Sequence, residues 1–396
     1  MTEELKKEVA DLASQIIHWR RDLHRRPEVA FKEYQTSTFL RDFFQQLGMP
    51  TRTLAGTGLR IDMEGQPGGK TVALRADMDA LPLQEEGEKE YISLNSGATH
   101  ACGHDGHMAV LLGVAQLLKN RRSQFKGKVV FLFQPAEELL PGGAKPMIEE
   151  GALDGVDAIF GLHFWQLLPT GKIGIVKGPM MAQPDDIRIT VKGKGGHGSM
   201  PHLSIDPILV ASNLVVNLQS VVSRNVDPLK PAVLSFGAIH GGTVYNIIPG
   251  EVTLIGTVRT FDPSLQAMME RRLREITEGI AKAYGTSISL DYQVGYPPVV
   301  NESSSVDFVL RVVKELFGEE SIAAIDPVMG GEDFSYYLQR VPGAFLFFGA
   351  GDGTKFPHHH PGFDLDEKAL PQATLLMTSL ALEYLKSQDP DANCAP

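Results

Sequence analysis

An α/β fold follows from the pattern of this chain: a largely parallel sheet with helices around it, interrupted by a smaller α+β domain. Two observations predict it. Over the first and last parts of the chain, short apolar runs of strand length alternate with stretches of helical period, the order that gives a parallel sheet. From about Pro184 to Gly295 the order becomes β-α-β-β-α-β, the split βαβ plan of a small α+β domain. A length of 396 residues fits two cores better than one.

The elements can be justified in turn. Residues 3–24 have the spacing of an amphipathic helix that ends before Pro27, and a second pattern over 36–47 stops at Gly48. Strand character follows at 71–74, 128–133, 157–160 and 344–348, with a helix over 108–118 between the first two. Within the insertion, 186–192 alternates polarity as a strand and 206–223 has helical spacing. Strands at 232–239 and 252–261, a helix at 263–284 and a strand at 287–293 complete it. The flanking segments GPMMAQPDD and VGYPPVVNE carry prolines and read as linkers. The expected domains are 1–184 joined with 295–396, and 185–294 inserted between them.

Composition narrows the function. A formal charge of −11 repels nucleic acid and anionic membranes, so neither is an expected partner. The segment MTEELKKEVADLASQ lacks the apolar core of a signal peptide, and no apolar run approaches a transmembrane span. Two cysteines, Cys102 and Cys394, exclude a disulfide framework and point to the cytoplasm. Cys394 sits in a polar tail and reads as incidental.

The reactive residues gather after apolar strands. Asp77 and Asp79 follow the first, Glu137 and Glu138 the second, His163 the third, and His358, His359 and His360 the fourth. Ligands of open α/β sheets bind at the carboxyl ends of strands, so four such clusters can converge. The segment His100-Ala-Cys-Gly-His-Asp-Gly-His107 offers a borderline-soft cation two or three ligands in a tight turn. A helix starting after it favours a thiolate at Cys102, and a cysteine nucleophile paired with a histidine is the rival reading. In Glu137-Glu138 one carboxylate can bind metal while its neighbour takes a proton from a metal-activated water. A lone histidine such as His163 is more often a core group, and the three-histidine run can be a surface tract. In the insertion, His197 in KGKGGHGSMPH sits in a glycine-rich loop that can cover a substrate or form an ordinary hairpin. Arg259 either faces solvent from its strand or, if buried, suits a substrate carboxylate.

Together, WRRDLHRRPEVAFKE, ALRADMDALPLQE, HACGHDGHMAVLLG, FQPAEE, GLHF, GKGGHGSMPH, NIIPGEVTLIGTVRTFD, GGEDFSYY and HHHPGFDLDE resemble the M20 metallopeptidases in their order and over nearly the whole chain. More closely, they are similar to the N-acyl-amino-acid amidohydrolases that include hippurate hydrolases and plant auxin-conjugate hydrolases. The resemblance implies a zinc-exopeptidase-like catalytic domain with an inserted ferredoxin-like lid and dimerisation domain. It implies two divalent ions (Zn, Mn, Co or Ni) on Cys102, His104, Glu138, His163 and His359. Glu137 matches the general base, and Asp79 the aspartate that orients the base or its ligand. His197 matches a histidine that steadies the oxyanion, Asn246 and Arg259 match groups that grip a carboxylate or oxyanion, and Gly331 lies in a loop expected to line the substrate site.

The implied reaction is hydrolysis of the amide of an N-acyl amino acid, N-acetyl or N-benzoyl among them. It releases a carboxylic acid and a free amino acid. The implied assembly is a homo-oligomer, a dimer or tetramer, built through the insertion. Two departures bear on the metal. Many M20 peptidases carry His-x-Asp where this chain has Asp77-Met-Asp79, and a bridging Asp where Cys102 and His104 stand. A carboxypeptidase or dipeptidase on the same site is the second reading, and a non-catalytic metal-binding protein the third.

Overall fold

The computed structural model describes residues 2–387; Cys394 lies outside them. In chain order the elements are α1 (Thr2–His24), α2 (Tyr34–Gln46), β1 (Thr51–Leu54), β2 (Gly58–Glu64), β3 (Gln66–Asp77), α3 (His104–Lys119), β4 (Lys126–Gln134), α4 (Ala144–Glu149), β5 (Ala158–Pro169) and β6 (Ile173–Gly174). Then come β7 (Gly178–Met181), β8 (Gln183–Lys192), β9 (Gly196–His197), α5 (Pro207–Ser220), β10 (Ala232–His240), β11 (Ile247–Ile248), β12 (Glu251–Thr260), α6 (Pro263–Tyr284), β13 (Ser287–Gln293) and β14 (Val299–Asn301). The last are α7 (Ser303–Phe317), β15 (Ile322–Ala323), α8 (Ser335–Leu338), β16 (Gly343–Gly351) and α9 (Ala369–Ser387). Two compact units result. Among the described residues the first holds 2–180, 300–326 and 333–387, and the second Met181–Val299 and Pro327–Glu332.

The first unit is built on an eight-stranded sheet of order β1-β2-β4-β3-β5-β16-β6-β15. Its centre, β4-β3-β5-β16, is parallel. One edge, β2 and β1, is antiparallel, and β6 runs antiparallel to β16. The sheet is therefore mixed at its margins, which the apolar runs alone did not indicate: β1 and β2 contain Arg52, Arg60 and Asp62. The helices α1, α3 and α9 pack on one another, and α3 and α9 lie against β3. Fourteen of the sixteen residues of α3 are buried, as expected for a helix enclosed on all sides. Gly113 allows this close approach: a Cβ there would come within 2.9 Å of Thr374 and 3.1 Å of Ile16. On β4, Phe131 and Phe133 each pack 5.6 Å from the Phe44 ring of α2, the first tilted and the second edge-on.

The second unit has a four-stranded antiparallel sheet of order β10-β12-β8-β13. Along β8, Ile187, Ile189 and Val191 point into the core while Asp186, Arg188 and Lys192 point out, the period of two that one buried face demands. Leu214 and Leu218 of α5 and Met269 and Leu273 of α6 complete that core. Both helices start the same way. Asp206 accepts the N–H groups of Ile208 and Leu209, Asp262 those of Ser264 and Leu265, and each is followed by proline. An acidic N-cap with proline at the first helical position satisfies donors that the helix cannot.

Candidate active site

The site of the first unit grows from the ends of its central strands. Beyond β3, the Asp79 carboxylate accepts the backbone N–H of Glu137 through one oxygen and that of Glu138 through the other, both at 3.0 Å. The Asp79 carbonyl lies 2.9 Å from His104 Nδ1. One residue thus fixes both the acidic turn after β4 and the imidazole at the start of α3.

Five donors from four stretches of chain meet here. The ligating atoms of Cys102, His104 and His163 lie within 4.8 Å of one another, as do those of Cys102, Glu138 and His359, and those of His104, Glu137 and Glu138. Cys102 Sγ is 3.4 Å from His163 Nε2, and His359 Nε2 is 3.2 Å from Glu138 Oε1. A cation with ligand bonds of 2.0–2.3 Å holds its ligands roughly 3.5 Å apart, so these spacings fit a metal. The imidazoles are prepared for it. His104 Nδ1 faces the Asp79 carbonyl and His163 Nδ1 faces the Phe164 carbonyl at 2.7 Å. A carbonyl can only accept, so each Nδ1 donates and each Nε2 is turned to the centre. His104 Nε2 is buried and has no hydrogen-bond partner among the described residues, which a metal would supply. The donor set of thiolate, imidazole and carboxylate suits borderline divalent ions.

The electrostatics agree. Burial opposes charge on His104, yet Asp77, Asp79 and Glu138 hold its pKa up at about 10. Burial likewise opposes the Glu138 carboxylate, and His359 and His104 hold it below the ordinary range. These groups attract positive charge, whether a proton or a divalent ion. Cys102 behaves unlike the sequence expectation. Burial, Glu138, Glu137 and Asp77 push its thiol well above the ordinary range. The helix start that was to favour a thiolate lies beyond Gly103, the N-cap at φ 92°, and the acidic surroundings outweigh it. A cation bound there would reverse that balance.

His163 also differs in placement. It sits within β5, which continues to Pro169, and not beyond the strand's end. Of the three consecutive histidines, His358 Nε2 donates to the Phe164 carbonyl at 2.8 Å, and His360 stacks on Phe356 at 4.1 Å. His359 reaches the cluster with a left-handed backbone, φ 63°, and its N–H donates to the Ala101 carbonyl.

Two buried networks beneath the donors escaped the sequence reading. His107 is satisfied on both nitrogens, by Asp77 at 2.7 Å and by the Phe164 N–H at 2.9 Å, which ties the first turn of α3 to β3 and β5. Arg75 pairs with Asp77 at 2.7 Å and Asp333 at 3.0 Å. Behind α3, Asp105 Oδ2 takes Arg20 Nε and His24 Nδ1, each at 2.7 Å, and His24 Nε2 meets Glu85 at 2.9 Å. The available signal was a charged side chain inside an otherwise apolar run, as with Arg75 in VALRAD.

The second unit brings its own candidates together in pairs. His197 on β9 is registered with Ile247, and the N–H of Gly198 donates to the Asn246 carbonyl at 2.8 Å. His197 Nδ1 accepts the Ser199 N–H at 3.1 Å, so its neutral ring carries the proton on Nε2. Arg259 on β12 is half-buried, and its Nε donates to Thr257 Oγ1 at 3.0 Å. Its β8 partner is Pro184, and a Cβ on Gly331 would meet that proline at 2.4 Å. Gly331 and Arg259 therefore flank one residue.

Comparison with known proteins gives consistent matches. Residues 73–383 match the model of peptidase family M20/M25/M40. An N-acyl-L-amino acid amidohydrolase of Geobacillus stearothermophilus is 48% identical over 304 residues, covering 76% of this chain and 81% of that protein. Thermostable carboxypeptidase 2 of Saccharolobus solfataricus is 39% identical over 391 residues, 97% and 99% of the two chains. A crystal structure of a dinuclear metal-binding peptidase of the M20 family from Bacillus subtilis superposes with a TM-score of 0.81 at 36% identity, covering 95% of this chain and 99% of that one.

Proposed function

The chain belongs to peptidase family M20/M25/M40, and from that premise we propose that it is a metal-dependent amidohydrolase cleaving the amide bond of N-acyl amino acids. The observation that carries this reading is the convergence of Cys102, His104, Glu138, His163 and His359 beside Glu137. We assign those five as ligands of two divalent ions, with Cys102 common to two of the triads. Held by these residues, the ions would supply an acidified water and a Lewis acid for the acyl carbonyl.

The chain's own groups do the rest. Glu137 takes the water's proton and passes it to the departing amine nitrogen. Asp79 keeps Glu137 and Glu138 at fixed directions through their N–H groups. The carbonyls of Asp79 and Phe164 hold the ligand imidazoles in one tautomer. In the second unit, His197 Nε2 is the donor assigned to the oxyanion, with Asn246 beside it. Arg259 is assigned to the amino-acid carboxylate: its terminal nitrogens have no hydrogen-bond partner among the described residues, and burial lowers its pKa, so a carboxylate would compensate its charge. Gly331 admits Pro184, the strand partner of Arg259, to close approach.

Assembly as a homo-oligomer through the second unit is supported by its exposed apolar side chains, among them Val216 at 73% and Tyr245 at 101%. No helix among the described residues is long and apolar enough to cross a membrane. The buried free thiol of Cys102 supports a reducing, cytoplasmic setting.

The test is a substrate panel on chelated protein with single metals restored. N-acetyl- and N-benzoyl-amino acids should be hydrolysed faster than dipeptides. The similarity to a carboxypeptidase gives the reverse ranking its weight, and that outcome would replace the amidohydrolase reading. Full activity after exhaustive chelation would remove the metal mechanism.

A further inference from the structure

The reaction scheme leaves Glu33, in the turn before α2, without a task, although it is wholly buried. Its Oε1 accepts the N–H groups of Phe31 and Ala136, each at 3.0 Å, and its Oε2 accepts the Thr57 hydroxyl at 2.6 Å. Phe31 and Ala136 are both non-glycine residues with left-handed backbones, φ 59° and 53°. Such a conformation costs a non-glycine residue about 1–2 kcal/mol, so surrounding contacts must hold it. One carboxylate oxygen holds both.

Ala136 directly precedes Glu137. The N–H groups of Ala136, Glu137 and Glu138 are three successive donors in one turn, and two carboxylates share them. Glu33 takes the first, and Asp79 takes the second and third. Successive N–H groups around a left-handed residue form an anion-binding hollow. Here side chains from the N-terminal part of the chain fill it, while the Ala136 carbonyl is tied to the Gly143 N–H at 3.1 Å. Rotating Ala136 out of this conformation would swing Glu137, the next residue, away from its present direction.

We infer that Glu33 is a positioning residue for the hydrolysis: by holding Ala136 in its left-handed conformation it sets the direction from which Glu137 meets the reacting water. This rests on Glu137 being the base. The role depends on reach and on accepting a hydrogen bond, and it does not require a negative charge. Glu33→Asp keeps the charge but withdraws the oxygens by one methylene, whereas Glu33→Gln keeps the reach and one acceptor oxygen.

The experiment compares wild type, Glu33→Gln and Glu33→Asp, each loaded with cobalt, on N-acetyl-L-methionine. Bound metal is counted, and amide hydrogen exchange of the 136–138 segment is followed in metal-free protein. Displacing a catalytic group by about 1 Å costs about 100-fold, so Glu33→Asp should lose kcat on that scale with KM and metal content unchanged. Exchange at 136–138 should quicken in the same variant. Glu33→Gln should stand well above it in kcat and keep its exchange protection. Equal activity of Glu33→Asp and wild type overturns the inference, as does a Gln variant no better than the Asp variant. Loss of metal in step with kcat also overturns it, because the fault would then lie in Glu138. A wild type with no turnover defeats the hydrolase reading itself, which separates the two failures.

Discussion

Glu137 and Glu138 are adjacent, and the separate tasks proposed for them rest on Glu138 facing His359 and His104. Replacing Glu137 by Gln should lower kcat by at least about 100-fold while metal stoichiometry, measured by elemental analysis, stays at the wild-type value. Asp79→Asn turns an amide N–H₂ toward one of two buried N–H donors, an unmade bond worth about 1–3 kcal/mol. It should lower both melting temperature and kcat. Glu33 carries a separate pH signature. Burial, and the charge of Asp79, raise its pKa from 4.5 to about 7 against the Thr57 hydrogen bond. The folded protein then binds more protons than the unfolded chain between those values, so stability falls as pH rises through that window. Two and a half pKa units correspond to roughly 3 kcal/mol. Glu33→Gln removes the titration, and urea melts should show it gaining on wild type from pH 5 to pH 8. A gap that stays constant over that range would contradict the assignment.

At the scale of elements, the two helices of the second unit test the value of a local signal. Asp206→Ala and Asp262→Ala should each cost about 1 kcal/mol in urea unfolding; both helix starts were readable because Asp-Pro writes the cap and the first turn directly into the sequence. Gly113→Val should destabilise by about 1–3 kcal/mol through overpacking against Thr374 and Ile16, with the metal site unaltered. Other elements were less legible. The β1–β2 pair was missed because charged residues interrupt its apolar pattern: Arg60 is buried in β2, where it meets Asp62 and the Gly151 carbonyl. The start of α3 was placed too late because His104, Asp105 and His107 read as loop chemistry, although they are buried in its first turn. The central strands were clear because a strand covered on both faces is apolar without interruption.

For the whole molecule, the side chains that converge belong to reactive residue types visible in the sequence, as does Asp79, whereas the deeper networks are not visible there. Arg20 reaches Asp364 across 344 positions, and no local pattern encodes such a pair. A metal-free protein should melt at lower temperature and recover when zinc or cobalt is restored, since ligand at 1,000 times its Kd adds about 4 kcal/mol. Unchanged melting on chelation would count against the centre. The strand order carries one more implication. β16, which begins at Gly343, lies between β5 and β6, so the flank of β5 must wait for its neighbour while the ribosome makes the entire second unit. At translation speeds of about 5–20 residues per second, that interval lasts roughly 10–35 s. Throughout it the nascent polypeptide presents an open, apolar strand edge and lacks His359, so chaperone demand should concentrate there, and the last donor arrives only after the sheet has its eighth strand to receive.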